Sequence, residues 1–270
     1  MPDRASTGPS AAFRVRRVTT TRAGGVSKPP FATFNLGDHV GDDPIAVAAN
    51  RRRLATVVGL GRREAGAGKG GTGKKSRRGG RNDQGGDGIV WMNQVHGVRV
   101  EVVDSDQTVD NTDGLVTATP QLALAVLTAD CVPVLMADAG AGVIAAVHAG
   151  RVGAQGGIVT RALEAMVGEG AQVENVSVLL GPAVSGANYE VPAEMAAEVE
   201  QCLPGSRTTT SRGTPGLDLR AGIAAQLRNL GVTAIDVDPR CTAADRNLFS
   251  HRRDAPTGRL ASLIWLEPGP

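Results

Sequence analysis

Short apolar runs broken by turn residues recur along the chain and set its first reading. Phe13–Thr20 predicts an opening strand. Ile45–Val58 spaces Ile45, Ala48, Ala49, Leu54 and Val58 as a helix face. Ile89–Met92 and Val98–Val103 read as short strands. Leu122–Leu127, Val132–Ala137 and Val143–Val147 are apolar throughout, as strands buried on both faces are. Gly157–Val167 returns to helical spacing through Ile158, Ala162, Leu163 and Met166, and Val176–Leu180 follows as a strand. Pro192 opens a helix over Ala193–Cys202. Leu219, Ile223, Leu227 and Leu230 line another helix that Gly231 stops. Val232–Val237 and Leu260–Leu266 are late strands. Strands and helices interleave without a clean linker, so the reading is one mixed α/β domain over residues 13–267.

Two segments break the pattern. Residues 1–12 predict a disordered tail. The stretch 61–88 is Gly, Lys, Arg, Ser, Asn and Asp with almost nothing apolar, so it cannot offset the entropy of ordering and reads as a disordered insert. Eight basic residues and one acid between Arg62 and Arg81 give that window +7, which leaves the rest of the chain at −5 against a total of +2. The body is mildly acidic and gives no case for nucleic-acid binding. No apolar run reaches the ~18–20 residues of a membrane span, and the N-terminus lacks the apolar region of a secretory signal. Three cysteines are too few for a disulfide framework, which points to a reducing, cytoplasmic setting. With 7 aromatic residues in 270, the core must be built from Ala, Val, Leu and Ile.

The candidate chemistry lies where strands end. His96 follows a strand in WMNQVHG, Cys131 lies between two strands in LTADCVP, and His148 ends one in VIAAVHAG. Two His and one Cys suit zinc and leave a fourth position open, the catalytic arrangement. Copper accepts the same ligands. The trio also reads as a Cys nucleophile with a His base. On spacing alone it reads equally as a small buried Cys with two histidines satisfied by turn carbonyls.

Nine ordered blocks sharpen this. TTRAGGVS (20–27), FNLGDHVGDDP (34–44), NQVHG (93–97), TDGLVT (112–117), TADCVPV (128–134), HAG (148–150), GPAVSGANYEV (181–191), LDL (217–219) and CTAADRNLFSHRR (241–253) follow one another. Together they resemble the YfiH family, also described as multicopper polyphenol oxidase-like or peptidoglycan-editing, from about Thr19 to Trp265. The resemblance implies a single domain of two packed mixed β-sheets flanked by helices, with a zinc site at His96, Cys131 and His148. It also implies purine nucleoside phosphorylase activity on adenosine, inosine, guanosine and methylthioadenosine, with adenosine deamination, so that the partners are purine nucleosides and phosphate. The chain departs from the family where HAGWRG becomes His148-Ala-Gly-Arg151-Val152-Gly153, where an Asn becomes Ile223, and in the insert.

Substrate contacts are expected from Arg22, Asn35, His39 and Arg252. Arg22 can take phosphate bidentately or lie beside a hairpin. Asn35 can bond a ribose or base, or brace its own turn. Asp113-Gly114 reads as a turn, Asp130 as a carboxylate that orients a ligand histidine, and Cys202 and Cys241 as structural. Two rivals stand beside the zinc enzyme: a Cys–His hydrolase acting on cell-wall precursors, and a non-catalytic metal-binding protein. A copper polyphenol oxidase ranks below them, because four histidines are too few for a multicopper cluster.

Overall fold

In the computed structural model, which describes residues 13–60 and 87–269, the long apolar runs become strands buried on both faces. The expected tail at 1–12, and residues 61–86 of the expected insert, lie outside the described residues. The elements in chain order are β1 (Phe13–Thr19), α1 (Pro44–Val57), β2 (Ile89–Asn93), β3 (Val100–Val102), β4 (Thr108–Asp110), β5 (Gly114–Thr117), β6 (Ala123–Thr128), β7 (Val132–Asp138), β8 (Val143–Ala149), α2 (Arg151–Gln155), α3 (Ile158–Gly168), β9 (Ser177–Leu180), α4 (Ala193–Cys202), β10 (Arg207–Thr209), β11 (Pro215–Leu217), α5 (Leu219–Asn229), β12 (Ala234–Val237), α6 (His251–Asp254) and β13 (Leu260–Pro268).

Two mixed sheets result, in the orders β1-β13-β6-β2-β4 and β12-β9-β7-β8-β5-β3, with β10-β11 as a separate ribbon. Side chains alternate across each strand, and the alternation builds three apolar layers. Leu124 and Val126 of β6 and Ile264 and Leu266 of β13 meet Leu135 and Ala137 of β7 and Ile144 and Ala146 of β8 between the sheets. The other face of β6 and β13 (Ala123, Ala125, Leu127, Leu263, Trp265) packs under Leu54 and Ala55 of α1 with Phe34 and Leu36. The other face of β7 and β8 sets Val134, Met136, Ala145 and Val147 against Ile158, Leu163 and Met166 of α3 and Leu219, Ile223 and Leu227 of α5. Ile223 is a fully buried core residue.

Helix ends follow local chemistry. Asp43 caps α1 by accepting from the Ile45 N–H, with Pro44 in the first turn, and Asp218 caps α5 through the Ala221 N–H. Gly231, at φ +100°, takes the left-handed position just past the end of α5. The pattern missed β4, β5, β10, β11, α2 and α6, and β3 is shorter than the predicted Val98–Val103. These are three to five residues long, too short for periodicity to register. α2 also contains Gly153, a poor helix former that is kept because its backbone approaches the Gly97 carbonyl: a Cβ there would lie 2.7 Å from that oxygen.

Ile144 sits fully buried between the sheets, so Ile144→Ala is expected to destabilise the protein by ~2–5 kcal/mol. Ile45, 76% exposed on α1, is expected to tolerate Ser within ~0.5 kcal/mol. Urea unfolding of the two variants checks the contrast.

Candidate active site

Strand register brings the three candidate ligands together. In the β7–β8 pair Pro133 faces His148 and Val132 faces Ala149, so Cys131, one residue before β7, comes beside the end of β8. β8 also pairs with β5, with Gly114 opposite Val147, which sets Asp113 next to His148. His96 arrives from the loop after β2 in a left-handed conformation, φ +61°. The ligand atoms of His96, Cys131 and His148 all lie within 4.8 Å of one another, the one such group of His, Cys, Asp or Glu among the described residues. The two imidazoles meet edge to face with centroids 4.7 Å apart.

Asp113 orders this cluster. Its fully buried carboxylate accepts from the backbone N–H of Val95 (3.2 Å), His96 (2.9 Å) and Gly97 (2.7 Å). It also lies 2.8 Å from His148 Nδ1. An ionised carboxylate only accepts, so the Nδ1 atom carries the proton and Nε2 is left for the cluster. Burial pushes the Asp113 carboxyl up, but the hydrogen bonds from His148 and Gly97 outweigh it and hold the group below its ordinary value. The orienting role expected of Asp130 therefore belongs to Asp113, which reads in sequence only as a turn. Asp130, at φ +101°, instead accepts from the Thr242 hydroxyl (2.5 Å), the Ser250 hydroxyl (2.7 Å) and the Arg252 N–H (2.6 Å), and so ties the C-terminal segment to the site.

Burial raises the Cys131 thiol, but the His148 charge and hydrogen bonds from His148 and His96 bring it down to about 6. Burial lowers His148, and the Cys131 charge together with the Asp113 and Cys131 hydrogen bonds raises it to about 9. Without a metal the pair is thus thiolate and imidazolium across neutral pH. The donor set fits a divalent cation: a thiolate, two imidazoles and a carboxylate behind one of them. Gly150 completes the cradle. A Cβ there would lie 2.9 Å from His96 Cδ2 and 3.1 Å from Cys131 Sγ.

The cluster forms one wall of a cavity of about 370 Å³. His39 and Arg252, both expected as substrate contacts, line it, and so do Arg151, Tyr189, His251 and Arg259. Arg22 and Asn35 do not line it. Arg22 Nε donates to the Ala32 carbonyl at 3.2 Å, and its guanidinium lies 3.6 Å from Asp254 and over the Phe249 ring. Asn35 is fully buried; its Nδ2 donates to the Gly37 carbonyl and Asp42, and its Oδ1 accepts from the Gly37 and Arg259 N–H groups. It braces its turn and the entry to β13. Arg253 donates to the carbonyls of Thr242, Ala243, Asp245 and Leu248 and holds the 241–254 segment in shape. Cys241 accepts from the Ser185 N–H at 3.3 Å, while Cys202 is exposed at the end of α4.

The sequence profile of a family described as multi-copper polyphenol oxidoreductase laccase matches residues 16–68 and 75–267. The chain belongs to this family, the YfiH family. A YfiH relative named purine nucleoside phosphorylase, from Mycobacterium tuberculosis, is 67% identical over 266 residues, covering 98% of this chain and 96% of the relative. One of the same name from Corynebacterium glutamicum is 52% identical over 256 residues, covering 93% and 94%. Among solved structures, YlmD of Geobacillus stearothermophilus superposes with a TM-score of 0.78 at 32% identity, covering 93% of this chain and 91% of that one. YfiH of Bacillus licheniformis gives 0.78 at 28%, covering 94% and 93%. The two mixed sheets with flanking helices are the fold of these YfiH structures.

Two outcomes follow from this geometry. Gly150→Ala keeps an allowed backbone, φ −73°, but pushes on His96 and Cys131. It is expected to weaken divalent-metal binding at least about tenfold while changing stability by no more than ~1 kcal/mol, read by competitive chelator titration and urea unfolding. In metal-stripped protein, alkylation of Cys131 by iodoacetamide is expected to rise through about pH 6 and then level, because the lowered thiol is already ionised above that point. Mass spectrometry of the Cys131 peptide reads the profile; a rise centred near ~8.5, the value of an ordinary thiol, would contradict the pairing with His148.

Proposed function

We propose that the chain is a zinc-dependent purine nucleoside phosphorylase that also deaminates adenosine. The observation that carries this is the placement of the His96–Cys131–His148 cluster in a nucleoside-sized cavity whose walls also hold Arg151, Arg252 and Arg259. The names of the relatives at 67% and 52% identity support the same reading. His96, Cys131 and His148 would hold the metal, which supplies a Lewis acid toward the substrate when bound. Zinc is favoured over copper because four histidines in the chain cannot furnish the several copper centres of a polyphenol oxidase.

In phosphorolysis a phosphate oxygen attacks the ribose anomeric carbon while the bond to the purine breaks. Arginines supply charge and orientation for the phosphate. Arg252 and Arg151 are the candidates for that contact, and His39, exposed at the cavity rim, for a ribose or base contact. We assign Arg22 and Asn35 to the scaffold of the cavity, since neither lines it, Arg22 is engaged by Ala32 and Asp254, and Asn35 is engaged by Gly37, Asp42 and Arg259. Deamination calls for water at carbon 6 of adenosine and departure of ammonia, and the same cavity has room for that exchange.

A second reading has its own support. The Cys131 thiolate, the His148 imidazolium and the Asp113 carboxylate follow one another as nucleophile, proton donor and orienting acceptor, which suits a thiol hydrolase acting without metal. Zinc-loaded protein incubated with adenosine is expected to give adenine only when phosphate is present and inosine without it, read by product chromatography. Both products are expected to vanish on metal removal and return with zinc. No product in either tube overturns the phosphorylase reading, and turnover that survives chelation favours the thiol hydrolase.

A further inference from the structure

The chain contains one tyrosine, and it lines the cavity beside the metal-ligand cluster. Tyr189 is half-buried, and its backbone is fixed by the β10–β11 ribbon, because its carbonyl accepts from the Leu217 N–H at 3.1 Å. Two guanidiniums converge on it. Arg252 lies over the ring at 4.9 Å from its centroid, held by a 3.1 Å hydrogen bond from Nη1 to the Glu190 carbonyl. Arg151, the first residue of α2 and directly after Gly150, lines the same cavity.

A guanidinium only donates, so neither Arg151 nor Arg252 can accept the phenol proton. No protein acceptor takes that proton among the described residues, and the cavity lies in front of it. Burial, with the Cys131 charge, pushes the phenol up, so it stays protonated at neutral pH. The result is a fixed neutral donor flanked by two cations, sharing a cavity with the metal-ligand cluster.

Phosphorolysis needs such a group. As phosphate bonds to the anomeric carbon, the electron pair of the breaking C1′–N9 bond moves into the purine, which must gain a proton to leave neutral. Hydrogen phosphate releases one proton on becoming the ribose 1-phosphate dianion. One proton is lost and one is gained, so a relay through a single group balances them.

We propose that Tyr189 is a catalytic residue that donates its hydroxyl proton to the departing purine and is reprotonated by the attacking phosphate, with Arg151 and Arg252 holding the phosphate on the phenol side. The assignment rests on the phosphorylase reading above. It also gives a purpose to Arg151, which lines the cavity beside the His–Cys–His cluster.

The test compares guanosine with 7-methylguanosine in zinc-loaded wild-type protein and Tyr189→Phe. A purine methylated at nitrogen 7 leaves as a neutral base without gaining a proton. The Phe variant is expected to lose ~10²–10³-fold in kcat on guanosine, the range of general acid catalysis, while staying within about fivefold of wild type on 7-methylguanosine, with metal content unchanged. The ratio of the two rates on one preparation does not depend on the fraction of protein correctly folded. Equal losses on both substrates, or undiminished turnover of guanosine, overturn the role of Tyr189. Wild-type protein that cleaves neither nucleoside in phosphate overturns the phosphorylase reading and this one with it.

Discussion

The Asp113 carboxylate has no access to solvent, and the arrangement of the site depends on how it is satisfied. Three backbone N–H groups of the Val95–Gly97 loop and one imidazole converge on it. A buried carboxylate without such partners would be forced to take up a proton. Here the partners keep it ionised, and in doing so they fix a loop and a strand relative to each other. His96 rides on the loop and His148 on the strand. The distance between two ligands far apart in the chain is therefore set by one acidic side chain between them.

The layered sheets supply the rigidity that this arrangement needs. β7 and β8 are covered on both faces, so their side chains have no freedom to drift, and the register that places Cys131 against His148 is held by packing above and below. The cavity side is built differently. Its far wall comes from the 241–259 segment, which is anchored by a small apolar cluster of Leu248 and Phe249 on Ala129 and Leu260, and is held by polar contacts to Asp130 and by the carbonyl contacts of Arg253. The side that carries His96, Cys131 and His148 is rigid by burial within the sheets, and the opposite side is held by a few apolar contacts and a dense set of hydrogen bonds.

Much of this was legible in the chain. The runs at Leu122–Leu127, Val132–Ala137 and Val143–Val147 are apolar at every position because both faces are covered, and they name the central strands directly. His96, Cys131 and His148 stood out as polar residues at the ends of such runs. Asp113 did not, because its partner His148 is 35 residues away and is joined to it only by the β5–β8 pairing, which no local pattern records. The Asp130 assignment failed for the same reason: adjacency to Cys131 in sequence places it near the site but does not say which way its carboxylate turns. Arg22 and Asn35 sit in blocks shared with the family, yet a shared block marks a required residue without telling whether it meets the substrate or the scaffold. Tyr189 sits in the GPAVSGANYEV block and is the single tyrosine, yet nothing in that block says that its side chain faces the cavity.

The last strand of the chain lies inside its sheet. β13 pairs with β1 on one side, across almost the whole chain, and with β6 on the other, across about half of it. During synthesis the three ligands emerge well before the strand that completes their neighbouring sheet and the segment that walls the cavity. A ribosome-bound chain thus presents Cys131 and its histidines while the surface meant to enclose them is still untranslated. Assembly of the chamber waits for residues 241–268, and the order of the genetic message sets the interval during which the Cys131 thiol stands uncovered.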